Sequence, residues 1–173
     1  AADLPARAAA TSWVALDIQG LVRSGSVGPV RRLLSDRLAV FLRDARVVKG
    51  SRDEVCIASS TSGAIAAAHA LLENGVSEVL ITLGSEGSIV VTKEESWEIP
   101  AYSAGRIIDT TGCGDVYLAA YVVKRIAGQS VSDAAQTASA AAALSATTFG
   151  APQITHEDVR STILGKRIDT SGP

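Results

Sequence analysis

Short apolar segments alternate with segments of helical periodicity along most of this chain, and that alternation limits the folds available to it. Strands are predicted over residues 13–18, 46–49, 79–83, 88–92 and 96–99. Helices are predicted over residues 28–43, from 51 onward, and over 62–74, 112–127, 131–146 and 155–164. Strands and helices that alternate at this spacing form a mainly parallel, Rossmann-like sheet flanked by helices. The chemistry of such an α/β fold is expected in the loops that follow the strands.

Composition excludes several classes of protein. The 173 residues carry a net charge of -2 and only 4% aromatic residues, which argues against nucleic-acid binding. Two cysteines and two histidines exclude a zinc finger or a disulfide scaffold and favour the cytoplasm. No apolar run reaches the roughly 18 residues of a membrane span, so no membrane partner is expected. The length suits a single α/β domain over residues 1–173.

The chain contains no methionine, so its first residue is not an initiator. Either the initiator was removed, or the sequence begins inside a longer polypeptide.

Two glycine-containing loops are candidates for a ligand site. The first is TLGSEG, residues 82–87, directly after a predicted strand. Its two glycines allow a sharp turn and a close backbone approach to a ligand, although an ordinary turn between strands explains it as well.

The second loop, DTTGCGD at residues 109–115, opens a long predicted helix. Gly112 and Gly114 stand where free amides and the helix dipole attract anions, and Asp115 lies in the first turn. The alternative for Asp115 is an ordinary helix-stabilising charge. No GxxxxGKS/T string is present, and the dinucleotide fingerprint GxGxxG would require glycine at Tyr117. An oxidoreductase of the Rossmann type is therefore disfavoured.

DTTGCGD, with TLGSEG upstream, resembles the ribokinase-like (phosphofructokinase-B type) carbohydrate kinases, whose signature is DTxGAGD. Cys113 replaces the alanine of that signature. KGSRDE at residues 49–54 is similar to the family's K-x-N/S-x-x-E segment, and ASAAAALSATTFG at 138–150 is similar to its helix and glycine loop beside the adenine. The resemblance implies the ribokinase-like fold and ATP-dependent phosphorylation of a hydroxyl.

The resemblance also assigns roles to single residues. Asp115 is expected to be the general base, and the amides of Gly112, Cys113 and Gly114 an anion hole. Glu54 is expected near Mg²⁺, and Asp109 and Thr111 near a monovalent cation such as K⁺. The residues expected to line the nucleotide are Thr82, Gly84, Ser85, Gly87, Thr110 and Gly150. Cys113 is interpreted either as a tolerated small residue or as a thiol whose modification blocks the nucleotide.

Substrate recognition is predicted just after the first strand. Asp17, Gln19 and Arg23 resemble an arrangement in inositol-kinase-like members, which favours a sugar or polyol; a plain polar loop is the alternative. The family's N-terminal sugar-binding segment and lid do not occur in this chain, so a non-catalytic or incomplete nucleotide-binding module is the second interpretation. The strand near Val14 is expected to leave an exposed edge, which self-association or a partner would cover.

Overall fold

The computed structural model describes residues 13–22 and 38–165. Within these residues the strands are β1 (Ala15–Asp17), β2 (Val47–Ser51), β3 (Glu78–Thr82), β4 (Ser88–Val91) and β5 (Ser96–Ile99). The helices are α1 (Leu38–Asp44), α2 (Arg52–Ser59), α3 (Ala64–Glu73), α4 (Cys113–Ile126), α5 (Val131–Ser145) and α6 (His156–Gly165). Single 3₁₀ turns span Gln19–Leu21 and Gly84–Glu86.

The strands form one sheet in the order β1-β2-β3-β4-β5. The first three pair in parallel, with Asp17 opposite Lys49 and Ser51 opposite Thr82. Their carboxyl ends therefore meet at one edge of the sheet, as the alternating pattern predicts.

Every strand and helix predicted within the described residues is present, with small shifts at the ends. The largest concerns β1, which covers Ala15–Asp17 rather than residues 13–18. The strand ends because the carbonyl of Ile18 accepts the Leu21 N–H at 2.9 Å and closes a 3₁₀ turn. Residues 28–37 of the helix predicted over residues 28–43 lie outside the described residues.

Contacts divide the chain into two compact units. The first unit runs to Leu83 and includes Ile89–Trp97, and the second consists of Gly84–Ser88 and the chain from Glu98 onward. The core of the first unit joins α1, α2 and α3 to β2 and β3 through fully buried side chains such as Val55, Leu71 and Ile81. Cys56 packs half-buried against this core.

The second unit contains α4, α5 and α6. The alanine-rich α5 packs one face inward, with Ala134, Ala135 and Ala138 fully buried. Alanine favours helix and allows close packing, so the run forms the tightly packed helix that the sequence predicts. Ser130 caps its N-terminus by accepting the Asp133 N–H.

No single helix in the described part of the chain is long and apolar enough to cross a bilayer. Together, α2 and α3 meet the length and composition criterion, but a bend of 47° separates them.

Candidate active site

The N-terminus of α4 carries the predicted general base. Gly112 precedes the helix in the left-handed conformation (φ 79°), and the space that a Cβ would occupy there is open. Asp115 lies exposed in the first turn. Gly112 thus leaves the end of the helix without a side chain in front of it, which suits the approach of an anion.

A compact turn leads into this helix. Asp109 Oδ1 accepts the Thr111 N–H at 2.9 Å. This backbone hydrogen bond and, to a smaller extent, one from the Thr111 side chain hold the pKa of Asp109 below its usual value. The amides of Ile108 and Asp109 both donate to the carbonyl of Ala146. The turn is therefore anchored to the end of α5. The Cys113 N–H, predicted to belong to the anion hole, donates to Thr110 O in a long hydrogen bond of 3.3 Å.

The thiol of Cys113 lies inside this arrangement. The Ser145 Oγ on α5 lies 3.2 Å from Cys113 Sγ, and Sγ is 4.0 Å from the carbonyl of Asp109. The half-buried thiol thus fills a polar contact between α4 and α5 that an alanine side chain cannot make.

The loop at residues 84–87 packs closely against the chain after β5. Gly84–Glu86 form a 3₁₀ turn that the Gly87 N–H closes by donating to Gly84 O at 3.2 Å. A Cβ on Gly87, whose φ is 97°, would lie 2.1 Å from Ile99 O. The second glycine of this loop is therefore required by close packing, whereas Gly84 and Ser85 are exposed and available to a ligand.

Directly after this loop, the Ser88 hydroxyl lies 2.8 Å from the Tyr117 hydroxyl, and both side chains are buried. This bond links the glycine loop to α4. Burial, only partly opposed by this bond, raises the pKa of Tyr117 to about 12, so its hydroxyl stays neutral at ordinary pH.

In the first unit, the predicted substrate residue Asp17 is engaged by the protein itself. Its Oδ2 accepts the ammonium of Lys49 at 2.7 Å, and its Oδ1 accepts the Gln19 N–H at 2.9 Å. Only 7% of the Lys49 side chain is exposed, because Lys49 lies in a buried strand. Gln19 is exposed beside this pair, and Arg23 lies outside the described residues.

Ser51 and Glu54 form a capping box at the start of α2, where a helix is predicted from residue 51 onward. Glu54 Oε2 accepts the Ser51 N–H at 2.8 Å, while Ser51 Oγ accepts the Glu54 N–H at 3.4 Å. Thr82, at the end of the adjacent strand, donates to Gly50 O at 3.4 Å. Ser51 and Thr82 therefore meet at the carboxyl edge of the sheet, as predicted for loop residues of a parallel sheet.

Among the described side chains, no group of three or more His, Cys, Asp or Glu is arranged to hold a metal ion. Mg²⁺ usually keeps several waters and is held by one or two carboxylates together with substrate phosphates. Glu54, the residue predicted near Mg²⁺, supplies one such carboxylate next to Ser51.

The sequence also matches the profile of the pfkB family carbohydrate kinases over residues 29–157. The chain belongs to this family. The 1-phosphofructokinase of Haloferax volcanii is 30% identical over 123 residues, which cover 68% of this chain and 40% of that protein. The resemblance noted from DTTGCGD is thereby confirmed.

Solved structures give the same fold for this carbohydrate kinase family member. The nucleoside kinase of Methanocaldococcus jannaschii superposes with a TM-score of 0.78 at 23% identity, over 94% of this chain and 52% of that one. An Escherichia coli protein described as a ribokinase II, in complex with ATP and Mg²⁺, gives a TM-score of 0.63 at 30% identity over 66% of this chain and 37% of that one. The ribokinase-like fold is confirmed, and the chain spans about half the length of its relatives or less.

Sequence reasoning gave Ser88 and Tyr117 no role, and it included Lys49 only as the first residue of the KGSRDE segment, without a partner. Lys49, Ser88 and Tyr117 each complete a contact to a candidate residue or loop. For the Lys49 contact, the local signal was the position of a lysine in the buried strand VVKGS, since a buried ammonium needs a polar partner.

The last nucleotide candidate, Gly150, has a positive φ of 77° and open space around its Cα. Three large apolar side chains on this segment and on the turn before α4 are exposed, namely Ile107, Ile108 and Phe149. Exposed apolar surface next to the predicted anion hole suits a ligand with a flat apolar part.

Proposed function

We propose that this chain supplies the nucleotide-binding and catalytic part of a kinase that transfers a phosphoryl group from ATP to a hydroxyl of a sugar or polyol. The observation that carries the proposal is Asp115, exposed in the first turn of α4 directly behind the open Gly112. Membership of the pfkB family supports the class of reaction.

Asp115 acts as the general base. As the substrate oxygen forms its bond to the γ-phosphorus and the bond to the ADP oxygen breaks, the hydroxyl proton passes to the Asp115 carboxylate. The transition state is loose, so a strongly basic residue is not required and positioning supplies most of the rate. The amides of Gly112, Cys113 and Gly114, with the helix dipole, stabilise the charge on the transferring group.

Mg²⁺, when bound, would neutralise charge on the phosphates of the nucleotide. Glu54 is 6% exposed and one of its oxygens already accepts the Ser51 N–H, so a contact through water fits its position better than direct ligation. Asp109 and Thr111 are proposed to flank a monovalent cation such as K⁺, since hydrogen bonds from Thr111 lower the pKa of Asp109 and favour its charged form.

The substrate hydroxyls are proposed to meet Gln19 and Asp17. Because Lys49 and the Gln19 N–H occupy one oxygen each, Asp17 both shapes the loop after β1 and offers its remaining lone pairs to a hydroxyl. A hydroxyl-rich ligand of the sugar or inositol type suits such acceptors, with Arg23 as a proposed anion contact.

The test is ATP consumption measured against a panel of sugars and polyols, with the Asp115→Asn variant as the control. We expect substrate-dependent turnover that falls by about 10²–10⁴-fold in the variant, the usual contribution of a general base. ATP binding without turnover on any substrate would instead support a non-catalytic or incomplete module, an alternative motivated by the chain's half-length match to its relatives.

We also propose that a second copy or a partner covers β1, which is the end strand of the described sheet. Light scattering tests this, and a monodisperse monomer would contradict it. The cytosol stays the expected location, supported by the free thiols of Cys56 and Cys113.

A further inference from the structure

We propose that Tyr117 and Ser88 are positioning residues, whose hydrogen bond fixes the glycine loop at residues 84–87 against the helix that carries Asp115. This inference rests on the proposed function, since it takes the loop and the N-terminus of α4 to bind one nucleotide. Nothing in the sequence motifs assigns either hydroxyl a role.

The bond joins the two candidate elements directly. Ser88 follows the last residue of the loop, and Tyr117 lies two residues after Asp115 on α4. The two hydroxyls are 2.8 Å apart, and the residues are 2% and 4% exposed. A phenylalanine would fill the same space at position 117, so packing alone does not call for the tyrosine hydroxyl. Two buried hydroxyls are satisfied only while they stay within reach of each other.

On its other side the loop is blocked by backbone. The carbonyl of Ile99, with the backbone of Pro100 and Ala101, occupies the space next to Gly87, and the Ser139 hydroxyl on α5 holds Pro100 O at 2.7 Å. The loop therefore cannot move toward this segment. Movement away from α4 requires the Ser88–Tyr117 bond to break, so this bond restricts the loop on the side of α4.

The helix end of the link is itself held in place. Cys113, one turn before Tyr117, contacts Ser145 on α5 at 3.2 Å. Residues four apart lie on the same face of a helix, so two serines from different elements hold the inner face of the first turns of α4. Asp115, exposed to solvent, is presented from this fixed base. Rigid support of this kind is what keeps a reacting group within the small tolerance that phosphoryl transfer allows.

The test uses the full 173-residue chain and the variants Tyr117→Phe, Ser88→Ala and the double variant. We measure the Kd for Mg-ATP and, separately, amide hydrogen exchange over residues 84–88. Each single variant is expected to weaken Mg-ATP binding by about 3–10-fold, the worth of one hydrogen bond, and to accelerate exchange in the loop. The double variant should lose little more than either single variant, because one bond is broken in all three.

Tyr102→Phe is the matched control, since it removes another buried hydroxyl of the same unit, one that donates to Gln136 on α5. This control should lower stability without changing loop exchange or the Kd. Additive losses in the double variant, or unchanged loop exchange and Kd in Tyr117→Phe, would overturn the positioning role. Absence of Mg-ATP binding by the unmodified chain would count against the proposed function, and the exchange measurement then still decides whether the bond holds the loop.

Discussion

Replacing Lys49 with methionine removes the charge from the pair with Asp17 while keeping most of the buried stem. The ammonium and carboxylate are 2.7 Å apart, with side-chain exposures of 7% and 21%. Breaking a buried pair costs about 3–5 kcal/mol because the remaining charge loses its partner. The partial exposure of Asp17 places Lys49→Met near the lower end, at about 3 kcal/mol. For a chain of this size, that corresponds to a fall in Tm of about 6–12 °C.

Tryptophan fluorescence is the appropriate assay, because the chain has two tryptophans and both, Trp13 and Trp97, belong to the first unit with Lys49. Urea unfolding gives the free-energy difference, and a thermal scan gives the Tm. Arg43→Ala is the matched control. Arg43 is 74% exposed and lies 3.7 Å from Asp44, so its loss should cost less than about 1 kcal/mol.

The double variant Lys49→Met/Asp17→Asn tests whether an unpaired charge on Asp17 causes the loss of stability in Lys49→Met. The asparagine carbonyl can still accept the Gln19 N–H, and no charge is left unpaired, so stability should recover relative to Lys49→Met alone. A Lys49→Met chain within about 0.5 kcal/mol of the unmodified protein would refute the reasoning. A double variant no more stable than the single one would refute the electrostatic explanation.

Three further predictions concern the second unit. Gly87→Ala should destabilise this unit by more than about 3 kcal/mol, because a Cβ at position 87 would lie 2.1 Å from Ile99 O. Gly84→Ala, whose Cβ would meet open space, should cost only about 1–2 kcal/mol. Unfolding followed by circular dichroism measures both, and equal losses of stability in the two variants would contradict the prediction. Saturating ATP should slow the alkylation of Cys113, whereas Cys56 should be labelled at an unchanged rate. If Cys113 is labelled equally fast with and without ATP, the Cys113 thiol does not lie beside the nucleotide. Burial raises the pKa of Tyr117 from 10.0 to about 12. The neutral Tyr117 hydroxyl therefore contributes its full stabilisation below pH 10, and this stabilisation is lost as the pH rises toward 12. Urea unfolding as a function of pH should show this decrease in stability for the unmodified chain and not for Tyr117→Phe.

Local patterns predicted the local structure. The capping box of Ser51 and Glu54 and the start of α4 next to Gly112 follow from residues within four positions of one another. The bounds of β5, Ser96–Ile99, also match, because Pro100 removes a backbone donor directly after it. Such features need no knowledge of the rest of the fold.

Contacts across long sequence separations were not predictable in this way. Asp17 meets Lys49 only because the parallel register places them opposite each other, and Ser88 meets Tyr117 only through the packing of α4. The prediction of Asp17 as a substrate residue did not include its two partners, the Lys49 ammonium and the Gln19 N–H, which each contact one of its oxygens. A strand with one lysine indicates that a partner exists, but not which carboxylate provides it.

Each unit therefore contains a polar side-chain pair that holds a loop in place. A buried polar pair, Lys49 with Asp17 or Tyr117 with Ser88, ties a loop that carries candidate ligand-binding residues to a strand or helix inside its unit. Apolar packing tolerates small shifts at little cost, whereas a buried charge or hydroxyl that loses its partner is costly. Such pairs give a loop one favoured position, and the proposed site for phosphoryl transfer needs this more than it needs additional stability.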